Sequence, residues 1–136
     1  MKRDRSSKTP FDKAVGSASS ENPDTMPPVF SFEKMSDGSG YSVNCCDQEN
    51  QAAAMRSLFK LSRMKWQDIR NAPRHGLGTE KIDRTSLEIA IPKGISEDVT
   101  FIAIRYHGKR PMVGYRDGRT FHVIWLDHNF SAYKHE

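Results

Sequence analysis

The residues able to do chemistry gather toward the C-terminal end of this chain. From Val99 to Glu136 there are six Lys and Arg against three Asp and Glu, and four of the five histidines, His107, His122, His128 and His135. Arginine presents a rigid fork to phosphate or carboxylate, and histidine titrates near neutral pH. Arg105, His107, Arg116, Arg119 and His135 are therefore the candidates for anion binding and proton transfer. Tyr133, two residues before His135, is a further group that could give or take a proton. Lys109 and Arg110 add cations, and Phe121 and Trp125 add rings on which a base can stack. Any one of these histidines alone reads as an ordinary surface residue, so the clustering is the signal. His128, Tyr133 and His135 match no zinc-ligand spacing, and Cys45-Cys46 lacks the C-x-x-C pattern. No metal or cofactor is predicted, and the two cysteines are expected to be reduced.

Positioning these groups takes a sheet. Val99 to Leu126 alternates apolar and aromatic residues in three runs, broken at His107-Gly108-Lys109-Arg110-Pro111 and at Arg116-Asp117-Gly118-Arg119. This predicts a three-stranded antiparallel meander. Asp-Gly between alternating runs is a strong hairpin signal, because a two-residue type I′ loop needs positive φ at both central positions. With Asp117 and Gly118 as that loop, Arg116 faces Arg119, Tyr115 faces Thr120 and Gly114 faces Phe121. Like charges directly opposite destabilise an antiparallel pair. The two arginines then share an anion, pair internally with Asp117 or Asp127, or stand solvated at the tip. With the first turn over Gly108 to Pro111, His107 faces Met112 and Arg105 faces Gly114. Period-2 alternation then makes Ile102, Ile104, Tyr106, Val113, Tyr115, Ile124 and Leu126 the core face, with His122 among them. Arg105, His107, Arg116, Arg119, Phe121 and Trp125 form the opposite, cationic face, suited to a phosphate-bearing partner whose bases stack.

Upstream, Val29 to Lys34 and Tyr41 to Cys45 read as two short strands around a Ser- and Gly-rich turn, or as one edge strand. Asp47 is a predicted N-cap for a helix from Gln48 to about Arg63, with Ala52, Met55, Leu58, Phe59 and Leu61 as its core stripe. A shorter helix is predicted from Lys65 to Asn71. Arg74-His75-Gly76-Leu77-Gly78 is a loop without the flanking strand and helix of a nucleotide fingerprint. Leu87 to Pro92 reads as a further edge strand. Residues 1–28 hold four of the seven prolines and few apolar groups. They cannot bury enough surface to offset chain entropy, which predicts a disordered tail before one domain at 29–136. The fold class is α+β: two N-terminal helices on one face of a small antiparallel sheet with a C-terminal three-stranded meander. A net charge of +4 favours an anionic partner. No apolar run nears the ~20 residues that span a bilayer, and no apolar segment follows Met1-Lys-Arg-Asp-Arg. The expectation is a cytoplasmic protein with no membrane partner.

The order strand, helix, helix, three antiparallel strands, on a small basic chain ending near Tyr133-Lys134-His135, resembles the RelE-like superfamily of bacterial toxins. The resemblance covers about Val29 to Glu136. It implies a metal-independent endoribonuclease acting on messenger RNA, with an antitoxin protein as a second partner. On that reading Arg116 and Arg119 hold the phosphate and Arg105 neutralises developing charge. His107 with His135 or Tyr133 moves protons, while Phe121 or Trp125 stacks a base. The run from Phe121 to His128 also resembles short phage and plasmid proteins, which implies no particular activity. The alternative is a non-catalytic module that binds nucleic acid or protein through the same cationic residues.

Overall fold

The computed structural model, which describes residues 22–73 and 77–134, is built on a mixed five-stranded sheet. Its strands are β1 (Val29–Ser31), β2 (Glu80–Ile82), β3 (Phe101–His107), β4 (Arg110–Asp117) and β5 (Thr120–Leu126), in the spatial order β1-β5-β4-β3-β2. The meander β3-β4-β5 is antiparallel, as the alternation predicts. β2 extends it antiparallel to β3, and β1 adds to the far edge parallel to β5. Two helices, α1 (Gln48–Leu61) and α2 (Trp66–Arg70), pack on one face. Among the described residues no helix is long and apolar enough to cross a membrane.

Both hairpin registers differ from the sequence expectation. In the second hairpin Asp117 pairs with Thr120 and Arg116 with Phe121, so the two-residue loop is Gly118-Arg119 rather than Asp117-Gly118. Gly118 has φ 63° while Arg119 keeps a negative φ, the pattern of a type II′ turn with glycine first. The expected opposition of Arg116 and Arg119 is thereby removed. In the first hairpin His107 pairs with Arg110 and Arg105 with Pro111, leaving Tyr106 as an extra, bulged residue. A second bulge lies at Ile124, between Val123 opposite Gly114 and Trp125 opposite Val113. A bulge breaks strict alternation. Ile124 and Trp125, neighbours in sequence, accordingly join the same core cluster, while Val123 and Leu126 belong to the other.

Neither face of the sheet is left open. One carries Ile104, Tyr106, Met112, Phe121, Val123 and Leu126 beneath the helices. The other carries Phe101, Ala103, Val113, Tyr115, Ile124 and Trp125 beneath Leu87, Ile89, Ile91, Ile95 and Tyr133. The Leu87–Pro92 stretch, expected as an edge strand, is this cover. Its alternation buries one side against the sheet, and among the described residues its backbone forms a single bridge, from Leu87 to Tyr133. The exposed cationic sheet face of the sequence reading is therefore not formed.

In α1, Asp47 caps the helix by accepting from the Asn50 amide at 2.9 Å. The buried positions are Asn50, Ala53, Ala54 and Leu61. Of the expected stripe Leu61 is buried and Leu58 packs against the core, whereas Ala52, Met55 and Phe59 do not, because the small alanines at 53 and 54 let the helix lie close to the sheet. Met55 and Phe59 consequently face solvent. Of the two N-terminal strands considered, β1 forms and Tyr41–Cys45 does not, containing instead a 3-10 turn at Val43–Cys45. Part of the stretch expected as tail carries defined structure among the described residues. Pro23–Thr25 forms a 3-10 turn and the Met26 carbonyl accepts from the Trp66 amide at 3.0 Å. Residues 1–21 lie outside the described part.

Candidate functional site

A cleft of about 340 Å³ lies between α1 and the end of β3, lined by Ala53, Arg56, Ser57, Lys60, Leu77 and the run Arg105 to Gly108. Local sequence explains its shape. Ala53 and Ser57 are the small residues of the α1 turns facing it, and Arg56 and Lys60 flank them at i, i+4 spacing on the same side of the helix. From β3 the bulge at Tyr106 turns Arg105, Tyr106 and His107 all toward the cleft. Arg105 is seated from below: its amide donates to the Leu77 carbonyl at 3.0 Å. Its stem lies over Gly78, where an added Cβ would come within 2.4 Å of Arg105 Cδ. Its φ of 66° favours glycine, and a side chain there would have to displace the arginine stem.

The cleft is electrostatically one-sided. Arg56, Lys60 and Arg105 line it without any described carboxylate among the lining residues. Glu49, mostly exposed, stands at the rim with Oε2 3.0 Å from His107 Nε2. A carboxylate only accepts, so Nε2 carries the proton of this contact, which leaves Nδ1 as the ring nitrogen not engaged by Glu49. Tyr106 is less available. Its hydroxyl is buried against Asn50 Oδ1 at 3.3 Å, and burial foremost, then the nearby Cys46, raises its pKa. It is a neutral donor that fixes α1 to β3. Among the described residues no three His, Cys, Asp or Glu side chains converge as metal ligands.

The structure thus brings Arg105 and His107 together at the cleft, keeps Lys109 and Arg110 in the adjoining hairpin, and places the other described sequence candidates elsewhere. Tyr133 is buried in the cluster under the opposite sheet face, and His135 lies outside the described residues, as does the Arg74-His75-Gly76 part of the loop before Leu77. Phe121 is fully buried, its ring 5.9 Å from Trp66 and 6.1 Å from Phe30. Trp125 is buried against Phe101 at 5.4 Å. Neither presents a face for stacking. Lys109 is exposed in the first hairpin loop, and Arg110 lies across the strand pair from His107.

Arg116 and Arg119 have internal partners. The Arg116 guanidinium sits 4.2 Å over the Trp66 ring and 3.0 Å from Asp24, and its Nε donates to the Gly118 carbonyl at 3.2 Å. Arg119 Nε donates to the Pro27 carbonyl at 2.8 Å, while its own carbonyl accepts from Trp66 Nε1 at 2.9 Å and from the Val29 amide at 3.1 Å. Asp24 also pairs with Arg70, and hydrogen bonds from Arg70 and then Arg116 hold its carboxyl below the usual carboxylate range. The acid that answers Arg116 is Asp24 rather than Asp117 or Asp127, and Arg119 is answered by the Pro27 carbonyl.

Arg56, Lys60 and Glu49 were missed by reading only the C-terminal third of the chain. A signal for two of them exists: Asn50 to Gln67 carries Arg56, Lys60, Arg63 and Lys65 and no Asp or Glu. Comparison with family models, with curated proteins and with solved structures finds no match to this chain.

Proposed function

We propose that the protein binds a phosphate-bearing polymer of the nucleic-acid class, RNA in the first instance, with a phosphate seated in the cleft between α1 and β3. The observation that carries this is the convergence of Arg56, Lys60 and Arg105 on one cleft with no carboxylate in its lining. Guanidinium groups give charge-assisted, directional bonds to phosphate oxygens. Ser57 and the exposed Lys109 supply further donors along the approach. In a titration with labelled RNA at low salt, Arg105→Gln and Lys60→Gln are each expected to weaken binding. Arg119→Gln, which removes a bond internal to the fold, is expected to leave affinity unchanged. Equal affinity across the cleft variants would contradict the reading.

A second reading, the metal-independent endoribonuclease, is favoured by the His107–Glu49 pair. A carboxylate bonded to one imidazole nitrogen orients the ring and leaves the other nitrogen as a base, able to take the proton of an attacking 2′-hydroxyl. Arg105 would then stabilise charge on the phosphate, and Lys60 is the group across the cleft that could protonate the leaving 5′-oxygen. Cleavage of RNA in the presence of chelator, with and without ribosomes, separates the two readings. Cleavage lost in His107→Ala with RNA affinity retained is the result that selects the enzyme.

A further inference from the structure

We propose that the outer ridge of α1 is a stacking platform for unpaired bases, so that the polymer held by the cleft is single-stranded. This rests on the cleft reading given above and adds the form of the ligand. Met55 and Phe59 are 67% and 63% exposed, the two most exposed large apolar side chains of the helix, and they stand one turn apart. On a helix such i, i+4 neighbours have Cβ atoms roughly 5–6 Å apart. Phe59 is also three residues beyond Arg56 and adjacent in sequence to Lys60, two cations of the cleft. A strand crossing α1 can therefore set its phosphates in the cleft and a base on the ridge.

Three further observations point to a base rather than a protein. The Arg63 guanidinium lies over the Phe59 ring, 5.4 Å from its centre, so that one face of the ring already carries a cation and a base would stack on the other. The ridge is also narrow. Two exposed side chains and Ala52 offer far less than the roughly 800 Å² that each partner contributes to a specific protein interface, whereas one or two bases need no more than this. Cations rather than acids flank it, with none of the residues from Asn50 to Gln67 acidic. A duplex keeps the faces of its bases within the stack, so Phe59 discriminates between the two forms while the cleft does not.

The test uses the full chain with three probes: a short oligouridine, an RNA duplex of the same length, and an acidic amphipathic peptide. Phe59→Ala is expected to weaken single-strand binding about tenfold and Phe59→Trp to restore it, given typical losses per stacked base. Duplex affinity is expected to be unchanged in both variants. Arg105→Gln is expected to weaken both nucleic acids alike. Unchanged single-strand binding in Phe59→Ala, with the Arg105→Gln loss intact, overturns the platform and leaves the cleft reading standing. No binding of either nucleic acid by the unsubstituted protein overturns both. Phe59-dependent binding of the peptide without Phe59-dependent binding of oligouridine also overturns the platform, because it makes the ridge a protein-docking face.

Discussion

At the scale of single residues, the cations divide by what already answers their charge. Arg116 and Arg70 share Asp24, and Arg119 is bonded to the Pro27 carbonyl, so these arginines hold the N-terminal segment and α2 onto the hairpin tip. Arg56, Lys60 and Arg105 instead line a cleft. The Asp24 clamp has a pH signature. Its carboxyl is held below the ordinary range in the folded protein by its arginine bonds. The stabilisation is thus fully present above the unfolded carboxylate value of about 3.9, and is lost as pH falls through the folded value. The melting temperature of the native chain should exceed that of Asp24→Asn by a constant margin from neutral pH to about pH 5, and the margin should close in more acidic buffer. Parallel curves down to the lowest pH would show that the pair carries no stability.

At the scale of elements, β1, the meander and both helices were legible in the sequence, whereas β2 was not, the strands expected at Tyr41 to Cys45 and Leu87 to Pro92 do not form, and the faces differ from the apolar pattern. Alternation from Val99 to Leu126 is strong enough to place three strands, and Asp47 with an unbroken run of helix formers is enough to place α1. Register failed because Asp117-Gly118-Arg119 offers two loops, Asp-Gly as type I′ and Gly-Arg as type II′, and packing of Phe121 between Phe30 and Trp66 accompanies the second. The bulges at Tyr106 and Ile124 leave no mark in an apolar pattern. Met55 and Phe59 were read as core because they are large, whereas close packing selected Ala53 and Ala54. The parallel β1–β5 pair joins residues about ninety positions apart, and local pattern cannot see it.

Gly114 shows how tightly that register is held. A Cβ there would stand 1.9 Å from the His122 carbonyl oxygen, a backbone atom that cannot rotate away. Gly114→Ala should therefore cost about 3 kcal/mol in denaturant unfolding, at the upper end for overpacking. Gly118→Ala meets no atom within 4 Å and suffers only from its positive φ, so about 1 kcal/mol is expected. Equal losses would mean that strand approach at Gly114 is not the constraint.

At the scale of the whole molecule, covering both sheet faces moves the functional question from the sheet to its flank. The loop from Leu87 to Ile95 and the C-terminal Tyr133 close one side, α1 and α2 close the other, and the cationic cleft opens where α1 leaves the end of β3. The net charge of +4 understates the local positive charge, since the acid-free stretch of α1 borders the cleft. Arg105 and His107 stand out in the sequence as candidates because they are unusual on an alternating strand, and in the structure they line one cleft. Their partners on α1 depend on a packing that only the folded chain displays.

The most direct test of the cleft is the salt dependence of RNA binding, because each phosphate neutralised by a cation adds to the slope of log affinity against log salt. For the native chain a clear negative slope is expected, with Arg56→Gln, Lys60→Gln and Arg105→Gln each reducing its magnitude by about 1. Arg119→Gln is expected to leave the slope untouched. A slope that falls with Arg119→Gln and not with the three cleft variants would place the anion at the hairpin tip and contradict the cleft as the binding site.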